Sequence, residues 1–409
     1  MLIVFGTLVS VVLSMITASS VLSVVIGLLT VLGFGLSMII GSSLFVIFSI
    51  IGFVIMFITI VSALIVAIVL CLLVALLMIV VTVWLFAPGN RMEVVESEKY
   101  FTDPSDNDKR HPFPSMLNED GDNPIQSLYL SLVVPAYNEQ ERLPLMLDEA
   151  LEYLESRCKD DSNQSTEWSP PRGKKFTYEV IIVDDGSTDS TTQVGLKYSR
   201  QYGVDKVRVL TLAHNRGKGG AVRMGVLASR GRLILFADAD GATKFPEIEK
   251  LENFMYSSTD NFDDMSMSIS IGSRAHMEEQ AIASRSYFRT FLMHGFHLIV
   301  YMFTVRTVRD TQCGFKMFGR SIAHLLFTSI HVEKWAFDVE LLYLAEKINC
   351  NIGENAVEWT EIDGSKITPV LSWLQMGHNV ITIPLMYNLG FWKYPAKYRE
   401  QVSEKYKDN

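Results

Sequence analysis

Acidic residues recur in three short runs, each placed directly after an apolar stretch. They are Pro135-Ala136-Tyr137-Asn138-Glu139, Asp184-Asp185-Gly186-Ser187-Thr188-Asp189, and Asp238-Ala239-Asp240-Gly241-Ala242-Thr243. An Asp-x-Asp pair at a strand end can aim carboxylate oxygens at a divalent cation, and hard cations of this kind take oxygen ligands and share their coordination with diphosphates. The cation would neutralise charge on a leaving diphosphate, so Asp238 and Asp240 are the candidate metal ligands. A single run of this kind could be no more than turn formers and helix caps. Three runs at successive strand ends point to one shared crevice.

A fourth element is Asn215–Gly225, "NRGKGGAVRMG", at a strand-to-helix junction. Its glycines let backbone N–H groups approach an anion at the helix N-terminus, and Lys218 adds a point charge. The spacing is neither that of a Walker loop nor GxGxxG.

The elements that must hold these runs are short apolar stretches bounded by turn residues: "LYLSLVVPAY", "YEVIIVDDGS", "KVRVLTL", "GRLILFADADG" and "MSISIGSR". Helical stretches lie between them, at residues 141–157, 191–202 and 220–229. Strands alternating with helices indicate an α/β fold with a mostly parallel sheet, whose ligands bind at the carboxyl ends of the strands.

All 36 Lys/Arg and all 45 Asp/Glu of the 409 residues follow position 90. Residues 1–90 therefore read as a hydrophobic transmembrane segment, long enough for one to four spans at roughly 20 residues each. Residues 91–127, rich in Asp, Asn, Pro and Ser, read as a polar linker. Residues 128–369 read as the catalytic domain, and residues 370–409 as amphipathic interfacial helices with a tail. The stretch 288–303 also reads as interfacial. Residues 158–175 look like a surface insertion carrying the sequon Asn163-Gln164-Ser165. A net charge of −9 offers no basic patch for nucleic acid. The four cysteines, Cys71, Cys158, Cys313 and Cys350, form no CxxC pair and signal neither a disulfide framework nor a zinc site.

The ordered set "VVPAYNE", "VDDGSTD", "NRGKGGAVRMG" and "FADADGAT" resembles the family 2 glycosyltransferases of the GT-A fold. Downstream, "IGSRAHMEEQ", "RDTQCGFKMF", "HVEKWAFDVELLYLAE", "WTEIDGSK" and "SWLQMG" are similar to the branch that glucosylates dolichyl phosphate. The resemblance implies inverting transfer of glucose from UDP-glucose to dolichyl phosphate at the endoplasmic reticulum membrane, in the service of protein N-glycosylation, with the catalytic domain facing the cytosol. It implies that Pro135, Tyr137, Glu139, Asp184 and Asp185 hold the uridine and that Lys218 supports the nucleotide. Asp238 and Asp240 would bind Mg²⁺ or Mn²⁺ with the diphosphate, and Gln312 would contact the donor sugar. Members of this branch carry one N-terminal span, so the long apolar leader departs from their pattern.

The acceptor is already an ionised phosphate and hardly needs a general base. What it needs is cations that offset its repulsion by the diphosphate, and the fork of an Arg meets two phosphate oxygens at once. Arg274 is the favoured candidate, with Arg289, Arg309 and Lys316 behind it. Asp338 would orient the sugar or an Arg. Cys313 reads as a buried thiol and not a nucleophile.

A GDP-mannose-dependent mannosyl transfer to the same lipid is the nearest competitor. The sequence "FADADGAT" also comes close to the DxDGT nucleophile motif of haloacid-dehalogenase phosphatases, but that motif opens its domain, and here a folded region of about 100 residues precedes it. A processive synthase would carry QxxRW, and neither Gln312 nor Gln375 is followed by Arg-Trp.

Overall fold

In a computed structural model of the protein the described residues are 25, 28, 42–86, 91–116, 128–160, 176–257, 267–277, 295–296, 298–362 and 369–395. The chain divides into two compact units, Met1–Phe86 and Ala87–Asn409. Arg289, the sequon and most of the stretch 278–297 lie outside the described residues.

In the first unit one helix, α1 (Ser42–Phe86), runs for 45 residues. Its 30-residue stretch Ser49–Met78 holds an 18-residue span of mean hydropathy 3.3, none of it buried within the protein. At about 1.5 Å per residue, that 30-residue stretch exceeds the roughly 30 Å of a bilayer's hydrocarbon core. Among the described residues this is one helix long and apolar enough to cross a membrane.

The second unit is built on a seven-stranded sheet, in the spatial order β5-β4-β3-β6-β8-β7-β9. The strands are β3 (Leu128–Ala136), β4 (Tyr178–Asp184), β5 (Val207–Thr211), β6 (Gly231–Ala237), β7 (Ser268–Ser273), β8 (Phe315–Gly319) and β9 (Asn351–Ala356). β5, β4, β3 and β6 run parallel to one another, β8 is antiparallel to both of its neighbours, and β7 and β9 are parallel. The mostly parallel α/β sheet is the architecture expected from the motif order. β4 is buried along its whole length, as a sheet covered on both faces requires.

The covering helices are α2 (Leu143–Asp160), α3 (Thr191–Tyr202), α4 (Lys218–Leu227), α5 (Ile248–Ser257), α6 (Arg320–Ser329), α7 (Phe337–Lys347) and α8 (Pro369–Asn388). One core joins Leu130, Leu132 and Val134 of β3 to Leu143, Leu147 and Leu151 of α2 and to Leu233 and Leu235 of β6. Burying each such Leu or Val contributes about 1.5–3 kcal/mol. The parallel strands end, and α4 begins, on one rim, which fixes where the three acidic runs emerge.

One expectation needs correction. The stretch 91–127 is not wholly a linker: Glu96–Lys99 forms a 3₁₀ turn, and β1 (Tyr100–Asp103) pairs antiparallel with β2 (Lys109–Pro112). Phe101 and Phe113 pack edge to face and lie over the Arg208 guanidinium of β5 at 5.4 and 5.3 Å. That aromatic and cationic contact repays the ordering of a polar segment. α8 passes through Pro384 and buries Val380, Ile383, Met386 and Tyr387, while Ile381, Leu389 and Phe391 stay exposed.

Candidate active site

β3 delivers Pro135, which sits opposite Val183 in the ladder, and the chain then turns through Tyr137 and Asn138. Asn138 takes a left-handed conformation at φ 53° and its side-chain Oδ1 accepts the Thr188 N–H at 2.8 Å, tying the first acidic run to the second. Tyr137 is exposed. Glu139 is buried and paired with Arg142, which donates from Nε at 2.7 Å and from Nη2 at 2.5 Å.

Asp184 and Asp185 end β4 and both are buried. Their carboxylates hold neighbouring loops. Asp184 Oδ1 accepts the Ser187 N–H at 2.9 Å, and its Oδ2 accepts the Thr192 hydroxyl. Asp185 accepts the N–H of Arg216 at 2.7 Å and of Gly217 at 2.9 Å. Burial pushes the Asp185 carboxyl up to about 7, against the lowering by those two N–H donors. Gly217 lies at φ 88°, where a Cβ would also meet Glu333 O at 2.8 Å, so this turn requires glycine.

The turn launches α4 with Lys218 as its first residue, and Lys218 Nζ reaches Asp238 Oδ1 at 2.6 Å. Burial would depress this ammonium, but Asp238, Asp338 and Asp240 around it hold it above the ordinary value. Asp240 turns back on its own loop, where its Oδ1 accepts the Ala242 N–H at 3.0 Å. Burial and the neighbouring Asp238 charge push the Asp240 carboxyl up. Two half-buried carboxylates two residues apart thus crowd negative charge that Lys218 offsets only in part. Oδ2 of each lies outside the bonds just named, so a hard divalent cation with diphosphate oxygens as its further ligands fits this donor set.

Arg274 closes the site from β7. It is held by Asp310, which accepts from Nε at 2.7 Å, from Nη2 at 2.9 Å and from the Arg274 backbone N–H at 2.9 Å. The guanidinium lies 5.3 Å from the Trp359 ring. Asp310 is fixed in turn by Glu354 of β9, whose Oε1 accepts its N–H at 2.9 Å. Burial alone would raise the Asp310 carboxyl, but Arg274 holds it below the usual carboxylate range. Both the fork orientation and the charge of Arg274 are therefore set before any ligand arrives, and Nη1 stays outside the pair.

Asp238 and Arg274 line one cleft together with Thr243, Gly314 and Trp359. The structure thus brings together Asp238, Asp240, Lys218 and Arg274, and it places Pro135, Tyr137, Glu139, Asp184 and Asp185 at the ends of the adjoining strands. It does not offer Lys316 to an acceptor: Lys316 is fully buried on β8, with Nζ 2.7 Å from Asp338 Oδ1 and 2.6 Å from Cys313 O. Asp338 therefore orients a lysine and not an arginine. Gln312 sits beside this group with its Nε2 buried and unpaired among the described residues. Burial pushes the Cys313 thiol up to about 12, which suits an inert core residue.

Asp310, Trp359 and Arg142 were not singled out from the sequence. Asp310 was visible as the residue next to Arg309, but only β7 packing against β8 and β9 shows that it faces Arg274. Arg142 places charge near Asp238 and Asp240 from the start of α2.

A mostly parallel α/β sheet with acidic runs at its rim is compatible with a glycosyltransferase, and residues 131–327 match glycosyl transferase family 2. The dolichyl-phosphate beta-glucosyltransferase of Drosophila melanogaster is 55% identical over 298 residues, covering 73% of this chain and 85% of its own length. The protein of that name from Homo sapiens is 49% identical over 323 residues, covering 77% and 91%. The one from Saccharomyces cerevisiae is 38% identical over 324 residues, again covering 77% and 91%. The crystal structure of glucosyl-3-phosphoglycerate synthase from Mycobacterium tuberculosis with Mn²⁺ and UDP-glucose aligns with a TM-score of 0.41 at 16% identity, over 64% of this chain and 80% of that one. A likeness that low does not bear on the chemistry. The chain belongs to the dolichyl-phosphate beta-glucosyltransferases within glycosyl transferase family 2.

Proposed function

We propose that this enzyme transfers glucose from UDP-glucose to dolichyl phosphate with inversion, at the endoplasmic reticulum membrane, from a catalytic domain facing the cytosol. The observation that carries this reading is the shared cleft of Asp238 and Arg274, one suited to a cation-bound diphosphate and the other to an incoming phosphate. A bound Mg²⁺ or Mn²⁺ would supply charge neutralisation on the departing UDP.

The chain's own residues divide the remaining work. Tyr137 offers a ring to the base, and the loops clamped by Asp184 and Asp185 shape the pocket for the uridine. Lys218, anchored on Asp238, adds positive charge at the helix N-terminus beside the diphosphate. Asp238 and Asp240 would hold the metal. Arg274, pre-oriented by Asp310, offsets the repulsion between the lipid phosphate and the nucleotide. Gln312, whose buried Nε2 has no partner among the described residues, would meet a sugar hydroxyl.

A phosphate oxygen of the acceptor forms the new bond to the anomeric carbon from the face opposite UDP. The anomeric carbon–oxygen bond to UDP breaks with its electron pair, and the β linkage follows from that single displacement. No proton need leave the acceptor.

The discriminating assay supplies membranes containing the protein with dolichyl phosphate and labelled UDP-glucose or labelled GDP-mannose, with and without EDTA. Glucosyl lipid formed from UDP-glucose and lost in EDTA is the expected result. Transfer from GDP-mannose with none from UDP-glucose would replace this reading by mannosyl transfer.

A further inference from the structure

Arg216 lies inside the Asn215–Gly225 run, yet its guanidinium turns away from the cleft toward the segment that follows α1 in sequence. Nη1 donates to Met92 O at 2.7 Å, and Nη2 donates to Glu93 O at 2.6 Å and to Glu98 Oε2 at 2.6 Å. The Arg216 side chain is 2% exposed and that of Glu98 1%, so this ion pair is removed from water. Glu98 Oε1 accepts the Ala213 N–H at 3.0 Å, and Glu98 Oε2 also accepts the Val95 N–H at 3.0 Å. The loop 213–217 is thus gripped from two sides. Asp185 holds its backbone at Arg216 and Gly217 from the sheet, and Glu98 holds Ala213 and the Arg216 side chain from residues 92–98. The next residue in the chain is Lys218, whose ammonium meets Asp238.

We infer that Glu98, through its buried pair with Arg216, is a positioning residue for the donor nucleotide. It sets the loop from which Lys218 and the first N–H groups of α4 face the diphosphate. The inference rests on the proposed use of this loop for UDP-glucose. Glu98 lies about 120 residues from the loop in sequence and in a stretch whose composition reads as linker, so no local pattern announces the pairing.

The physics favours a large effect from a small change. Neutralising Glu98 leaves Arg216 the more distant Glu333, 3.9 Å from Nη1, as its remaining ion-pair partner among the described residues, so the guanidinium recruits water or moves. Movement of Arg216 carries Lys218 with it, and displacements of about 1 Å near reacting groups cost on the order of 10²-fold in rate.

The test compares full-length wild-type, Glu98→Gln and Arg216→Lys proteins in detergent, with Glu96→Gln as control. Glu96 lies in the same segment but is exposed and pairs with Lys99 at the surface. Three quantities are read: UDP affinity by calorimetry, KM for UDP-glucose and for dolichyl phosphate in glucosyl transfer, and thermal midpoint. Glu98→Gln and Arg216→Lys are expected to weaken UDP binding and raise KM for UDP-glucose at least fivefold, leave KM for dolichyl phosphate within twofold, and behave alike when combined. Glu96→Gln is expected to match wild type. Normal UDP affinity in folded Glu98→Gln, or equal rises in both KM values, overturns the positioning role. If Glu98→Gln fails to fold, Arg216→Lys alone decides by the same readings. Wild-type protein that binds UDP normally but makes no glucosyl lipid would overturn the functional reading instead, leaving the Glu98 effect on UDP affinity to be judged on its own.

Discussion

At the scale of single residues the site is organised by what holds each charge, more than by the charges themselves. Arg274 is aimed by Asp310, Lys218 by Asp238 and Lys316 by Asp338, each through a contact of 2.7 Å or less. Asp185 is the exception: its nearest donors are backbone N–H groups, and burial leaves its carboxyl at about 7. A carboxyl whose folded value is raised above its unfolded value of about 4 binds more protons when folded, so stability falls as pH rises from about 4 to about 7 and is flat above that. Asp185→Asn removes this titration. Thermal midpoints of the two proteins measured from pH 4.5 to 8 are expected to show wild type losing ground to Asp185→Asn as pH rises to 7, with a constant gap beyond. A gap that does not change over this range would show that Asp185 stays ionised throughout.

At the scale of elements, the parallel half of the sheet was legible in the sequence because its strands are unbroken apolar runs ending in turn residues. In the other half only β7, within "MSISIGSR", was. β8, "FKMFG", carries a lysine in a buried strand, which reads as a break until Asp338 of α7 is seen to pair with it. β9, "NIGENA", is a polar strand at the sheet's end, and its Glu354 works on the Arg309-Asp310 turn and not in solvent. The hairpin β1–β2 is short and polar apart from Tyr100 and Phe101, and Phe101 rests on Arg208. The candidate site divides in the same way. The carboxylates and Lys218 stood out as runs, whereas Asp310, Trp359 and Glu98 reach the site only through pairing across distant elements.

The junction between the Gln312 turn and β8 offers an element-scale test. A Cβ added at Gly314 would fall 1.9 Å from Asp238 Oδ2, far inside contact distance, so the chain here must be bare for Asp238 to occupy its place. Gly314→Ala is expected to keep the fold, as judged by circular dichroism, while lowering glucosyl transfer by about tenfold to a hundredfold. Wild-type activity in Gly314→Ala would mean that Asp238 is free to move without cost to its function.

For the whole molecule, the chain pairs an apolar helix of membrane-spanning length with a water-soluble type of α/β domain, as a reaction between a soluble nucleotide sugar and a lipid requires. The domain solves an electrostatic problem: a phosphate must approach a diphosphate. On the proposed reading, a cation held by Asp238 and Asp240 and the pre-oriented Arg274, which shares a cleft with Asp238, meet it. Glucosyl-lipid synthesis by wild-type and Asp240→Ala membranes, titrated with Mn²⁺ after EDTA treatment, tests this arrangement most directly. Wild type is expected to regain full activity with the metal, while Asp240→Ala stays about 10²-fold or more below it at saturating Mn²⁺. Full-rate transfer by Asp240→Ala, or wild-type activity untouched by EDTA, would contradict a cation held between Asp238 and Asp240.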